Sequence, residues 1–196
     1  MPVSPARIIL ASGSSYRKML LQKLQIPFRC ESPDIDESRL PEESIKALVL
    51  RLAQQKAEAV ARQHTGEPGL IIGSDQVALL GNQLLTKPGN HFNAVAQLTA
   101  CSGQRVDFYT SLCLYNCQTG HFQLDYDIFS VYFRQLSAVQ IENYLQADKP
   151  YDCAGSFKAE GLGITLFSKM QGDDPNSLIG LPLIKLTDML IKERVL

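Results

Sequence analysis

The chain has no excess of charge of either sign. Nineteen lysines and arginines face twenty aspartates and glutamates, for a formal net charge of -1. That balance excludes the broad basic surface that drives nonspecific binding to DNA or RNA, so any positive charge that matters is local. Long apolar runs are also missing. No stretch approaches the roughly 18 to 20 residues that span a bilayer, and Met1 to Pro5 has no charged start leading into an apolar core. No membrane partner, no nucleic-acid polymer and a cytoplasmic location are the expectations. Cysteines number five, an odd count, and Cys30, Cys101, Cys113, Cys117 and Cys153 lie mostly in apolar or strand-like stretches, as small buried hydrophobes do in a reducing compartment. Cys113 and Cys117 have no second Cys or His pair at zinc-ligand spacing. The three histidines, His64, His91 and His121, are isolated in turn-like contexts and read as surface or loop residues.

What is present is a chain of 196 residues, 45% hydrophobic, enough for one domain or one domain with two lobes. Arg7 to Ser12 is a short apolar run ending in small residues, and Tyr16 to Leu24 follows with helical spacing at Leu20, Leu21 and Leu24. Pro41, Glu42 and Glu43 carry the signature of a helix first turn. The next helix places Ile45, Leu48, Val49, Leu52 and Val60 on one face. GLIIGSDQVALL (69–80) reads as a central strand interrupted by Ser74, Asp75 and Gln76, and residues 93–99 as a short helix. Residues 104–116 alternate and pair across NCQTG with 122–133 as a long antiparallel hairpin. Ser137 and Gln140 form a capping box ahead of a helix over 138–146. CAGSFKAEGLGITLF (153–167) reads as strand-like, and a last amphipathic helix runs from Leu181 to about Arg194. Helices mixed with both a βα start and an antiparallel hairpin give an α/β or α+β class around a mixed sheet.

Two residues stand out against this pattern. Asp75 is a carboxylate in an otherwise apolar strand, which costs several kcal/mol unless it is paired, bound to metal or set at a strand end facing a cleft. Hydrogen bonding to neighbouring backbone is the structural alternative. Lys56 falls near the middle of its helix's apolar stripe, either snorkelling to water or meeting an anion. Lys87 precedes a Pro-Gly turn and Lys158 a glycine-rich segment, and each alone reads as a surface residue. Ser12, Gly13, Ser14 and Ser15 precede Arg17 and Lys18 at a helix N-terminus. Small hydroxyl residues, N–H groups and two cations within seven positions suit an anion with several phosphates. This is not the GxxxxGK[ST] loop, since no lysine follows glycine at that spacing. A polyphosphate needs a divalent metal, for which Glu37 and Asp75 are the oxygen ligands.

Together ILASGSSYRKML, QQKAEAVA, GSDQVALL, TKP, FKAEGLG and DPNSLIGLPL resemble the Maf family of nucleotide pyrophosphatases over about 8–190, in the family's order and spacing. The resemblance implies an α/β fold with a mixed sheet flanked by helices and two lobes around a deep cleft, related to inosine-triphosphate pyrophosphatase-like folds. It implies a single domain over 1–196, a divalent cation such as magnesium or manganese, a small-molecule nucleotide as partner, and a homodimer. The implied reaction is hydrolysis of a nucleoside triphosphate to its monophosphate and pyrophosphate.

The family's A-S-x-S-P-R-R pattern maps onto Ala11, Ser12, Ser14, Ser15, Arg17 and Lys18, with Tyr16 between Ser15 and Arg17. Ser15 stands where proline is usual. Lys18 replaces a second arginine, keeping the charge without the bidentate fork. The family's acidic residue maps onto Glu37, its helix lysine onto Lys56, its proton acceptor onto Asp75, its lysine before proline onto Lys87, and the lysine of its glycine-rich segment onto Lys158. The three positions that vary with substrate hold Tyr16, Gln76 and Glu160, the pattern of the 7-methyl-GTP pyrophosphatase branch, where tryptophan is more usual at the first. Guanine methylation leaves a cationic base that gains from stacking on an aromatic ring, and the adjacent N–H donors of its edge match a carboxylate. Two alternatives stay open: a pyrophosphatase for dTTP, UTP or other nucleotides, and a non-catalytic nucleotide-binding regulator of cell division.

Overall fold

Ile8–Ala11 forms β1, and all four of its residues are buried. An uninterrupted apolar tetrapeptide has no solvent face to offer, so it takes a central place between parallel neighbours. In the computed structural model, which describes residues 7–64 and 66–196, β1 pairs with β2 (Phe28–Glu31) on one side and β3 (Leu70–Gly73) on the other. Met1 to Pro5, read above for a leader segment, lie outside the described residues. Between β1 and β2 runs α1 (Ser15–Gln22), with Ser14 at its N-cap, and between β2 and β3 runs α2 (Ile45–Ala61), capped by Ser44.

The start of α2 corrects the sequence reading. Pro41, Glu42 and Glu43 are not its first turn, because Glu42 has a left-handed backbone (φ 58°) and the helix begins at Ile45. The stripe itself forms as read, with Leu48, Val49, Leu52 and Val60 buried, together with Ala53, Ala57 and Lys56. The helix lies so close to β3 that a Cβ built on Gly73 would stand 2.1 Å from the Ala53 carbonyl oxygen and 3.0 Å from the Ala57 nitrogen.

GLIIGSDQVALL is two strands. β3 ends at Gly73 and β4 (Gln76–Leu80) begins after Ser74 and Asp75, followed by β5 (Gln83–Leu85). Then come α3 (His91–Cys101), the long strands β6 (Arg105–Asn116) and β7 (Phe122–Phe133), and α4 (Ala138–Asp148), whose Ser137–Gln140 capping box is present as read. β8 (Phe167–Gln171), α5 (Pro175–Ile179) and α6 (Leu183–Lys192) complete the chain. Residues 154–166 are not strand-like. They hold two short 3-10 turns, Ala154–Ser156, which contains a left-handed Gly155, and Leu162–Leu166.

The chain divides into two compact units. The first gathers the described residues of Met1–Gln76 with Thr110–Asp127 and Gly180–Leu196. Its strands run β2-β1-β3-β6, with β6 antiparallel to β3. The second holds Val77–Tyr109 and Ile128–Ile179, with β6-β4-β5 in order and β7 paired with β6 and β8. Its core includes Phe108, Phe133, Phe157 and Phe167, whose rings meet edge to face at 4.8 to 5.7 Å.

Two expectations about single residues need correction. Only Cys101 and Cys113 are buried, and desolvation pushes both thiols up to about 12. Cys117 and Cys153 are half-buried, and Cys30 is exposed because β2 is an edge strand. His121 is exposed and His91 lies at the surface as expected, bonding Tyr151 (3.0 Å) and Glu142 (2.9 Å), but His64 is largely buried beside Glu31 (2.8 Å). Among the described residues no helix is long and apolar enough to cross a membrane.

The contact at Gly73 is with backbone, which cannot rotate away. Gly73→Ala is therefore expected to destabilise the protein by about 1–3 kcal/mol, read as a lower urea midpoint. An unchanged midpoint would mean that α2 shifts freely against β3.

Candidate active site

The helix stripe and the strand break converge on one ion cluster in the first unit. Lys56 Nζ donates to Asp75 Oδ1 and to Glu37 Oε1, each at 2.7 Å. Lys56 and Asp75 are buried, at 6% and 7% exposure, while the Glu37 side chain keeps 59% of its surface in contact with solvent. The lysine thus meets an anion inside rather than snorkelling, and the aspartate is paired rather than satisfied by backbone alone. Both carboxylate oxygens bond one nitrogen, so they lie no more than twice the bond length apart.

Asp75 sits where β3 stops, and its backbone is fixed by β6. Its N–H donates to Ser111 Oγ (3.2 Å), its carbonyl accepts from the Ser111 N–H (2.9 Å), and the Ser111 hydroxyl donates to the Val49 carbonyl of α2 (2.6 Å). A buried hydroxyl therefore ties strand, strand break and helix together.

The serine loop is joined to Ser74 through Arg17 and the Gly180 carbonyl. Ser12 Oγ accepts from the Ser14 N–H (3.1 Å) and from Arg17 Nη1 (3.4 Å), while Ser14 Oγ caps α1 by accepting from the Arg17 N–H (3.4 Å). Arg17 Nε donates to the Gly180 carbonyl (2.9 Å), and Ser74 Oγ donates to the same oxygen (3.0 Å). Burial lowers the pKa of Arg17 from its ordinary value, and the charges of Asp75 and Glu37 act to raise it. The guanidinium therefore belongs to the same electrostatic neighbourhood as the ion cluster. Gln76 donates to Thr110 Oγ1 (2.9 Å), Tyr16 is half-buried on α1, and Lys18 is exposed.

The remaining residues read from sequence belong to the second unit. Lys87 and Glu160 are exposed. Lys158 is half-buried, its ammonium donating to the Asp148 carbonyl at the end of α4 (2.9 Å) and its N–H to the Tyr144 hydroxyl (3.0 Å). Gly163 packs on its backbone, where a Cβ would come within 2.3 Å of the Lys158 carbonyl oxygen.

Sequence reading missed Ser74, Ser111, Gly180 and Arg51. Ser111, next to Thr110 in β6, left no distinct signal, whereas Arg51 left one as a cation one turn and a half before Lys56. Arg51 Nε and Nη2 grip the Glu43 carboxylate (2.7 and 2.8 Å), and Nη2 also donates to the Ser38 carbonyl (3.0 Å). Among the described residues no group of three or more His, Cys, Asp or Glu stands ready to hold a metal ion. Asp75 and Glu37 are two hard oxygen donors, both bonded to the Lys56 ammonium here, so a cation held by them would have to share the cluster with that charge or displace it.

Residues 7–193 match the family described as Maf-like protein. The chain is 57% identical over 188 residues to a protein of Pseudomonas syringae pv. syringae named 7-methyl-GTP pyrophosphatase, covering 96% of this chain and 97% of that one. It is 55% identical over 188 residues to a protein of the same name from Alcanivorax borkumensis, covering 96% and 94%. Among solved structures, the Staphylococcus aureus Ham1 protein resembles it at 13% identity, with a TM-score of 0.46 over 66% of this chain and 72% of that one, a likeness too slight to carry weight.

The grip of Arg51 has a consequence for stability against acid. Hydrogen bonds from Arg51 are the main reason the Glu43 carboxyl is held at about 2 instead of 4.5, against opposing desolvation. A depressed carboxylate pKa stabilises the fold above the unfolded-state value, and that stabilisation is lost as pH falls through the folded one. Between pH 4.5 and 2 the urea midpoint of the wild type should therefore fall more steeply than that of Glu43→Gln. Parallel curves would show that the pair contributes nothing to stability.

Proposed function

We propose, for a chain that belongs to the Maf-like protein family, that it hydrolyses 7-methyl-GTP to 7-methyl-GMP and pyrophosphate, removing a modified nucleotide. The observation that carries this reading is the buried Asp75 carboxylate held on Lys56, in a chain 57% identical to a protein named for that activity.

In this reading Asp75 takes a proton from water as the water oxygen attacks the α-phosphorus. The bond from that phosphorus to the oxygen bridging to the β-phosphate breaks, and pyrophosphate leaves with the electron pair. Lys56 donates to Asp75 Oδ1 and so fixes the plane of the carboxylate, leaving Oδ2 as the oxygen we assign to the proton. Ser12, Ser14, Arg17 and Lys18 bind phosphate oxygens at the start of α1, where N–H groups and cations favour an anion. Lys87 and Lys158 carry the same assignment from the family resemblance alone. Lys158 must exchange the Asp148 carbonyl for a phosphate oxygen to fill it.

Asp75 and Glu37 are the residues we assign to a divalent cation, magnesium or manganese. Bound there, the ion would polarise a phosphate oxygen and offset the charge that develops on the leaving group. Tyr16 offers its ring to the cationic base, and Glu160 accepts from the two N–H donors of the guanine edge, with Gln76 the third residue of the specificity set. The odd number of cysteines and the two buried thiols support a reducing compartment, and we place the enzyme in the cytoplasm.

Pyrophosphate release from 7-methyl-GTP, GTP, dTTP and UTP tests the assignment. The methylated substrate should lead in kcat/KM by about tenfold, the factor that a cation–π contact of about 1.4 kcal/mol supplies. Glu160→Gln should narrow that lead. Equal values across the panel would remove the specificity claim. Asp75→Asn should lower kcat by about 10²- to 10⁴-fold. Near-normal turnover in that variant would mean that another group is the base, and nucleotide binding without pyrophosphate release would favour the regulator.

A further inference from the structure

Glu37 is the exposed member of the ion cluster, on a loop with no regular secondary structure between β2 and α2. An exposed glutamate on such a loop has many rotamers and backbone states to lose before it meets Lys56. The structure nevertheless places its Oε1 at 2.7 Å from Nζ. The next residues explain how. Arg51 Nη2 donates to the carbonyl of Ser38, the residue after Glu37, and the same guanidinium takes both oxygens of the Glu43 carboxylate. Its remaining nitrogen, Nη1, donates to Gln55 Oε1 (3.0 Å) on α2. Glu43 in turn accepts from the Leu40 N–H (3.1 Å), its carbonyl accepts from Arg39 Nε (2.8 Å), and the Ser38 N–H donates to Asp36 Oδ1 (2.9 Å). Residues 36–43 are therefore closed on themselves and joined to α2 through Arg51, besides the bond of Glu37 itself to Lys56. Arg51 projects from the helix that also carries Lys56, five residues further on.

We infer that Arg51 is a positioning residue: by holding Ser38 and Glu43 it fixes Glu37 beside Asp75, and so sets the affinity of that carboxylate pair for a divalent cation. It touches neither cation nor nucleotide. A lysine in its place keeps the charge but cannot reach two carboxylate oxygens and a carbonyl together, because that grip needs a planar fork with several donors. This inference rests on the metal assignment made above.

The test uses the full chain without nucleotide, titrated with manganese while free Mn²⁺ is followed by electron paramagnetic resonance. Arg51→Lys and Glu43→Gln break the same grip from its two sides, so one serves if the other fails to fold. Each should weaken manganese binding by about 10- to 100-fold, as loss of a residue that orients a metal ligand does. Each should also quicken tryptic cleavage after Arg39. Turnover at saturating manganese should keep the wild-type kcat, with the loss confined to the metal concentration at half-maximal rate. Arg105→Ala, which removes an exposed ion pair with Asp107 in the second unit, should change none of these. Manganese binding equal to wild type in both variants, with or without faster cleavage, overturns the role of Arg51 and leaves the metal assignment standing. A wild type that binds no manganese removes the metal assignment and this inference with it.

Discussion

An ammonium group buried in the apolar stripe of a helix has to be answered by a carboxylate, and much of the first unit follows from that demand. An unpaired buried charge costs several kcal/mol even after relaxation. Lys56 is answered by Asp75, which stands in the two-residue break between β3 and β4. That meeting requires α2 to lie against β3 more closely than any side chain at Gly73 would permit. It also requires Asp75 to be held at its backbone, since an aspartate free to swing would leave the lysine alone; the Ser111 hydroxyl and N–H supply that hold. Strand break, glycine, serine and lysine are separate features of the sequence, but a single electrostatic constraint links them.

Features that depend on near neighbours were legible in the sequence. The β1-loop-α1 opening, the stripe of α2 with Lys56 inside it, the hairpin of β6 and β7, and the capping box at Ser137 are set by periodicity or by contacts a few residues apart. Asp75 was legible as a carboxylate out of place. Illegible were the partners brought from far along the chain: Ser111, 36 residues from Asp75, and Gly180, 163 residues from Arg17. No local pattern marks a backbone carbonyl as an acceptor.

Where sequence reading went astray, a local rule lost to a tertiary contact. Glu43 after Pro41 looks like a carboxylate placed for a helix dipole, yet its charge serves Arg51 across the loop. Cys30 looks like a core residue, but its strand ends the sheet. Residues 154–166 look like a strand because of their apolar content. Their glycines instead let the chain double back on Lys158, and the left-handed Gly155 and crowded Gly163 are incompatible with an extended run.

The carbonyl of Gly180 receives both Arg17 and Ser74. During synthesis these two donors emerge from the ribosome long before their acceptor does. A nascent chain that has emerged as far as β3 still lacks the atom that fixes Arg17, so this set of bonds closes only once Gly180 has been made. Closing a loop of that length is slow compared with forming the helices it joins. Until then the guanidinium has no fixed partner on that side.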